Sequence, residues 1–263
     1  MTPTELDSLA LLTLSVVDQV CGPIVAARNA GTLDIDTKSS GTDMVTEMDR
    51  WSEDTIIAAI SRARPDDGFV GEEGGHQTGS SGVMWIIDPI DGTTNYLYDV
   101  PGFSVSIAAE VDGQVMVGVV ADPVRDEVFS AIRGQGAHRN GRPVRCSDKP
   151  DLATALIGTG FGYDASRRVE QASVLVDVIG HVRDVRRMGG AALDLCAVAC
   201  GRLDGFYERG LAVWDVAAGG LIASEAGALV TDLDGVESWS DMVVCAGPAL
   251  HPELVGLLRA AHR

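Results

Sequence analysis

The chain has 263 residues, 46% of them hydrophobic and 22% charged, and a formal net charge of −18. That length holds one large domain or two subdomains sharing a core. The acidic balance excludes non-specific binding to nucleic acid or to anionic membranes, both of which need clustered Lys and Arg. An acidic enzyme working on an anionic substrate must neutralise its own site, and bound cations do this, although solubility alone also accounts for such a charge. The five cysteines, Cys21, Cys146, Cys196, Cys200 and Cys245, are odd in number and lack the spacing of a zinc site or a disulfide scaffold. Buried free thiols and a reducing cytoplasm are therefore expected. The N-terminus lacks the basic-then-apolar layout of a signal peptide, and no apolar run reads as approaching ~20 residues, so no membrane span is expected.

In chain order, residues 4–28 carry Leu6, Leu9, Ala10, Thr13, Val17, Val20 and Ile24 at helical spacing, which predicts an amphipathic helix capped by Thr4. Residues 31–43, with Lys38-Ser39-Ser40-Gly41 among them, read as a mobile loop or loose hairpin. Asp43-Met44-Val45-Thr46-Glu47-Met48-Asp49 leads into a second helix through Trp51, Ile56, Ala59, Ile60 and Ala63. Asp43 or Thr46 would cap it, and a capping box by itself accounts for the acidity there. Residues 69–71 form a short strand. Glu72-Glu73-Gly74-Gly75 reads as a solvated loop, and residues 76–82 as loop by composition, with His76 on the surface.

Residues 83–95, VMWIIDPIDGTTN, are the stretch around which the rest is organised. The apolar run 83–87 predicts a strand buried on both faces, ended by Asp88 because Pro89 has no N–H for the ladder. Asp91 would be the N-cap of a short helix whose amides face outward, able to hold an anion. Two carboxylates with the Ile90 carbonyl between them are hard oxygen ligands suited to Mg²⁺. Metal and phosphate sites side by side suggest metal-assisted phosphoryl chemistry, while a strand-to-loop corner with an Asp cap explains the same spacing.

Further on, apolar runs at 103–110 and 114–120 flank Asp112-Gly113, a hairpin signal. Residues 127–132 form another strand, and Asn140-Gly141 a turn. An antiparallel-rich sheet over 69–146 follows, and 148–151 (DKPD) divides an N-terminal half, 1–147, from a C-terminal half, 148–263. The second half alternates strands (155–159, 184–188, 205–208, 228–231) with helices (165–180, 191–200, 214–226), an α/β unit. Val169, Ala172, Val176 and Ile179 mark the expected inner face of the first of these helices, and the small residues after Trp214-Asp215 predict close packing of the last. Glu72, Asp88, Asp91 and Asp215 all fall at a strand end or helix start, where α/β proteins build sites. Meeting there, they would repel without cations between them, and with no His or Cys competing, Mg²⁺ is favoured over zinc.

WIIDPIDGTTN (85–95), DMVTEMD (43–49), GEEGG (71–75) and WDVAAGGLIASEAGA (214–228) match, in order and spacing, the motifs of the inositol monophosphatase family, which the whole chain resembles. The resemblance implies an α/β (α+β) fold, a layered α-β-α-β-α sandwich, and a cytoplasmic homodimer that is a lithium-sensitive phosphatase using two to three Mg²⁺ ions. It implies that Glu72, Asp88 and the Ile90 carbonyl hold one ion and that Asp88, Asp91 and Asp215 hold a second. A weaker third would lie near Glu72 and Glu73, toward the loop carrying Lys38. Thr93, Asp49 and Glu72 would be catalytic, the Gly92 and Thr93 amides would bind phosphate, and Gly189, Gly190, Ala191 and Glu208 would contact the polyol. Gly190 stands where Thr is common, and Tyr96 where Phe is common. The implied partner is a small phosphate monoester, myo-inositol 1-phosphate first, with no nucleic acid and no membrane. Histidinol phosphate and fructose 1,6-bisphosphate are alternatives on the same scaffold, and 3′-phosphoadenosine 5′-phosphate is disfavoured by the lack of a basic cluster. A regulatory, protein-binding member of the family is the reading of another class.

Overall fold

The computed structural model describes residues 1–31, 35–38, 44–236 and 241–261, with the backbone alone at residue 35. Of the expected loop at 31–43, residues 32–34 and 39–43, including Asp43 as a cap, lie outside the described residues.

Helix α1 (Pro3–Ala30) is capped by Thr2, not Thr4: the Thr2 hydroxyl accepts the Glu5 amide and Glu5 reaches back to the Thr2 amide. Pro3 stands in its first turn, where its missing N–H costs nothing. Strands β1 (Ile35–Thr37) and β2 (Met44–Thr46) pair antiparallel, and α2 (Glu47–Ala63) starts directly after β2 with Thr46 as its cap. An eight-stranded sheet follows: β3 (Gly68–Gly71), β4 (Gly75–Gln77), β5 (Val83–Asp91), β6 (Ser104–Val111), β7 (Gln114–Asp122), β8 (Glu127–Ile132), β9 (Ala137–Arg139) and β10 (Arg142–Pro143). Its order is β10-β9-β8-β7-β6-β5-β3-β4, antiparallel except for the β3–β5 pair. Short helix α3 (Thr93–Leu97) leaves the end of β5. A five-stranded sheet is built from β11 (Leu156–Thr159), β12 (Asp184–Arg186), β13 (Gly205–Arg209), β14 (Leu229–Thr231) and β15 (Met242–Ala246), in the order β12-β11-β13-β15-β14. Helices α4 (Ala165–Ile179), α5 (Ala191–Ala199), α6 (Val213–Glu225) and α7 (His251–Ala261) complete the chain.

The pleat sorts each strand's side chains into layers. Trp85, Ile87, Val117 and Val119 point to the layer of α1 and α2, while Ile86 and Val120 face α5 and α6. Val243 and Cys245 of β15 join that same middle layer from the other sheet, and Met242, Val244 and Ala246 face α7. The result is the layered α-β-α-β-α sandwich. The small residues of α6 serve the middle layer: a Cβ on Gly219 would lie 3.0 Å from the Ala192 carbonyl of α5.

Several expectations need correction. The strand at 83–87 continues to Asp91, because the ladder skips Pro89 and Ile90 and resumes with Asp91 opposite Ser104. His76 is exposed as expected but belongs to edge strand β4, opposite Val70, where loop was read. On α4 the inner stripe is Gln171, Val174 and Val178; Val169, Val176 and Ile179 face outward. Gln171 belongs inside because its amide is used: it accepts from the Gly162 N–H and donates to the Arg209 carbonyl. Strand β15 and helix α7 were not read at all. All five cysteines are free, with Cys196 and Cys245 buried and the other three half-buried. Finally, α1 is by length and composition apolar enough to cross a membrane, against the expectation that no run would be. Its apolar stripe, Leu6, Leu9, Val16, Val17, Val20 and Ile24, is packed into the core over the eight-stranded sheet.

Candidate active site

The end of β5, the start of α3, the loop after β3 and the start of α6 converge on one cleft of about 270 Å³. Lys38, Glu72, Asp88, Ile90, Asp91, Gly92, Thr93 and Asp215, all expected from the sequence, line it. Carboxylate oxygens of Asp88, Asp91 and Asp215 lie within 4.8 Å of one another. Burial, then the charges of Glu72, Asp91 and Asp215, pushes Asp88 well above the usual carboxylate range. Burial and the Asp91 charge raise Asp215 likewise. Asp91 is pushed up to about 7 by burial, although backbone amides bond it. Three hard oxygen donors that repel in a buried pocket fit a divalent cation, which would offset the repulsion.

Each carboxylate is fixed by the fold. Asp91 does not cap α3, whose N-cap is Gly92 with φ 89°. Instead it caps α5 from a distance, accepting the Ala191 amide at 3.2 Å on Oδ1 and the Ala192 amide at 2.9 Å on Oδ2. Asp88 Oδ1 accepts the Ile90 amide, and Asp215 Oδ2 accepts the Ala212 amide at the head of α6. A side chain at position 92 is excluded twice over: the φ is left-handed, and a Cβ would come within 2.9 Å of the Gly102 carbonyl and 3.0 Å of that of Gly189.

Asp49 serves two ends at once. Its Oδ2 closes the capping box of α2 by accepting from the Thr46 amide at 2.8 Å and the Thr46 hydroxyl at 2.5 Å. Its Oδ1 lies 3.2 Å from the Thr93 hydroxyl, which is also 3.2 Å from the Ile90 carbonyl. Burial raises Asp49 to about 6. One oxygen of Asp49 thus serves the cap, and the other faces Thr93.

Gly189, Gly190, Ala191 and Glu208 line a smaller cavity of about 140 Å³, which shares Asp91, Gly92 and Asp215 with the cleft. Glu208 is raised to about 7 by burial, against the pull of the Arg187 charge. At the other rim, Lys38 Nζ is 2.8 Å from Glu72 Oε1 and also pairs with Glu73. The Glu72–Gly75 loop is thus half-buried at its acidic start rather than solvated throughout.

Sequence reading missed three supporting residues. Buried Glu53 accepts the Glu73 amide at 2.9 Å and the Gly74 amide, which fixes the loop that carries Glu72. It lies four residues after Asp49, so the two share a helix face, and that spacing was the available signal. Asn95 donates to the Gly102 and Met188 carbonyls, tying α3 to the segment before α5. Asp194, a lone charge in the apolar run of α5, lines the smaller cavity.

Comparison with known proteins agrees with this geometry. The family model for the inositol monophosphatase family matches residues 6–263. A protein of Pasteurella multocida described as Nus factor SuhB is 43% identical over 250 residues, covering 90% of this chain and 94% of that one. An inositol-1-monophosphatase SuhB of Mycobacterium tuberculosis (strain H37Rv) is 47% identical over 232 residues, covering 84% and 80%. The crystal structure of the extragenic suppressor protein suhB of Bartonella henselae superposes with a TM-score of 0.91 at 35% identity, covering 96% of this chain and 98% of that one. With a match along nearly its whole length and an acidic cluster suited to a metal, the chain belongs to the inositol monophosphatase family, metal-dependent phosphatases that act on small phosphate monoesters.

Proposed function

We propose that the chain hydrolyses the phosphate monoester of a small polyol, with myo-inositol 1-phosphate the leading substrate, and that its metal is Mg²⁺, two to three ions at work. The observation that carries this reading is the Asp88–Asp91–Asp215 cluster in one cleft with the Thr93–Asp49 pair, opening onto a cavity lined by Glu208. Glu72, Asp88, the Ile90 carbonyl, Asp91 and Asp215 would hold the ions, with Lys38 and Glu73 at the rim of a weaker third site. When bound, divalent ions lower the pKa of water and stabilise charge on the phosphoryl and leaving oxygens.

The chain's own residues do the rest. The Gly92 and Thr93 amides orient the phosphoryl oxygens. Thr93 Oγ1 aligns the attacking water in line with the ester bond. A bond from the water oxygen to phosphorus forms as the ester P–O bond breaks. The water's proton passes by way of Thr93 to Asp49 Oδ1, whose raised pKa suits a base near neutral pH. The departing alkoxide takes its proton from solvent, and no covalent phospho-enzyme is needed. Glu208, Gly189, Gly190 and Ala191 seat the polyol. A homodimer and a cytoplasmic setting belong to the same proposal, the latter consistent with five free thiols; mass in solution tests the former.

Phosphate release across inositol 1-phosphate, histidinol phosphate, fructose 1,6-bisphosphate and 3′-phosphoadenosine 5′-phosphate tests the reading. Inositol 1-phosphate should be preferred, EDTA should abolish release and Mg²⁺ restore it. Restoration by Zn²⁺ alone, or preference for another ester, would overturn the metal or the substrate respectively.

A second reading has one observation behind it, the relative described as a Nus factor. Under it the chain also binds a protein partner. A partner held equally well by an inactive Asp91→Asn chain would favour it.

A further inference from the structure

Asn95 closes the stretch that carries Asp88, Asp91 and Thr93, yet it lines neither the cleft nor the smaller cavity. It stands on α3 and is 8% exposed. Its Nδ2 donates at 2.9 Å to the Gly102 carbonyl and at 2.6 Å to the Met188 carbonyl, with the Pro101 carbonyl at 3.4 Å. Three carbonyl oxygens around one atom identify that atom as the nitrogen. Met188 is 93 residues away in sequence. One side chain thus ties α3 both to the start of β6 and to the segment that leads into α5.

The tied segments meet main chain to main chain. A Cβ on Gly189, where φ is 106°, would fall 2.5 Å from Asn95 Nδ2. A Cβ on Gly190 would fall 2.9 Å from Asp91 Oδ2 and 3.2 Å from the Gly102 carbonyl. The Gly102 and Gly189 carbonyls in turn wall Gly92. Close-packed segments of this kind pass a displacement on instead of absorbing it. Asp91 depends on the contact directly, because the Ala191 and Ala192 amides that bond it open the helix into which residues 188–190 lead. Gly219 of α6 packs against Ala192 and Leu195 and so holds the body of α5. Asn95 holds its entry.

We propose that Asn95 is a positioning residue for the metal ligand Asp91. By donating to the Met188 and Gly102 carbonyls it sets where the Ala191 and Ala192 amides hold that carboxylate, and with it the affinity of the ion that Asp91 shares with Asp88 and Asp215. Asn95 acts through Asp91, from outside both cavities. This rests on the metal reading above and adds to it the group that orients one ligand from behind. Loss of such a partner lowers metal affinity by about 10–100-fold. A residue that only staples the fold would lower the melting temperature and leave the metal affinity of the folded protein where it was.

The test is calorimetric titration of the metal-free full chain with Mg²⁺, below the melting transition of each protein, for the wild type, Asn95→Ala and Asn95→Leu. Leu keeps the branched shape of Asn without charge and without a donor. Both substitutions should weaken one Mg²⁺ binding event at least about tenfold. Wild-type isotherms from both variants, with only the melting temperature lowered, would overturn the proposal. So would a wild-type isotherm from Asn95→Leu beside a weakened Asn95→Ala, which would assign the effect to shape and not to donation. Hydrogen exchange in the wild type needs no variant to fold: Mg²⁺ should slow exchange in residues 188–192 and in residues 98–103 together. Protection of the first segment without the second would also overturn the proposal. A wild type that binds no Mg²⁺ would overturn the metal reading itself, and this inference with it.

Discussion

At the acidic end of the cleft, backbone amides already hold the carboxylates, whereas at the leaving-group end a buried carboxylate oxygen is left without a partner. Asp91 is bonded by two amides of α5, Asp88 by that of Ile90, Asp215 by that of Ala212 and Asp49 by that of Thr46. Three of these four, Asp91, Asp215 and Asp49, are also explicable as helix caps. Asp194, on the same helix as the Asp91 amides, has no such bond on Oδ1. Groups that must not move during the reaction are locked from behind by the main chain. Asp49 shows that a cap and a second role are not rival explanations, because its Oδ2 closes the capping box while its Oδ1 faces Thr93.

The contrast can be broken most severely at Asp91. Asp91→Asn removes a ligand charge and turns an NH₂ toward an α5 amide, so kcat for inositol 1-phosphate should fall by at least about 100-fold. Wild-type turnover by this variant would remove Asp91 from the chemistry. Thr93→Ala comes next. Loss of proton steering should lower kcat by about 100-fold while Mg²⁺ affinity, measured by calorimetry, stays near normal. An unchanged kcat would mean that water is oriented elsewhere. Glu53→Gln touches neither substrate nor metal but replaces the acceptor for the Glu73 and Gly74 amides. It should weaken Mg²⁺ binding by about 10-fold through a loosened Glu72, as loss of an orienting partner does. Glu208→Gln should raise KM for the polyol ester severalfold with kcat little changed, sharpening the division between the two ends.

The smallest effect is on stability. In metal-free protein Asp49 is raised to about 6 and Asp91 and Glu208 to about 7, from ordinary values of 3.8 for Asp and 4.5 for Glu. Over that window the folded chain binds more protons than the unfolded one. Stability is then highest below the ordinary values and declines as pH rises through the raised ones. The melting temperature in EDTA should fall from pH 5 to about pH 8, past the raised values, before it levels off. A rise over that interval would contradict the burial of these groups as carboxylates without a cation.

Much of the site was legible because its chemistry is contiguous. Asp88, Ile90, Asp91, Gly92 and Thr93 lie in one stretch, and the strand, corner and short helix around them follow from hydrophobic runs and a proline. What escaped reading depends on distance in sequence. Asp91 looked like the cap of the helix beside it, yet its amides come from residues 100 positions away. Periodicity marked Val169, Ala172, Val176 and Ile179 as the inner face of α4, whereas Gln171, Val174 and Val178 are inside. Two bonds made by Gln171 to distant backbone decide that. Glu53, Asn95 and Asp194 carry their signals only as a shared helix face, a motif's last letter and a lone charge among apolar residues. Strand β15 is a short apolar run that periodicity alone cannot separate from helix, and its antiparallel partners β13 and β14 give it its place.

The account stands most directly on the claim that Asp88, Asp91 and Asp215 hold metal. Calorimetric titration of the metal-free chain with Mg²⁺, wild type beside Asp91→Asn, measures it without reference to any substrate. At least two binding events in the wild type, with one lost or weakened by the substitution while the melting temperature holds, is the result this account predicts. Identical isotherms for the two proteins would contradict it.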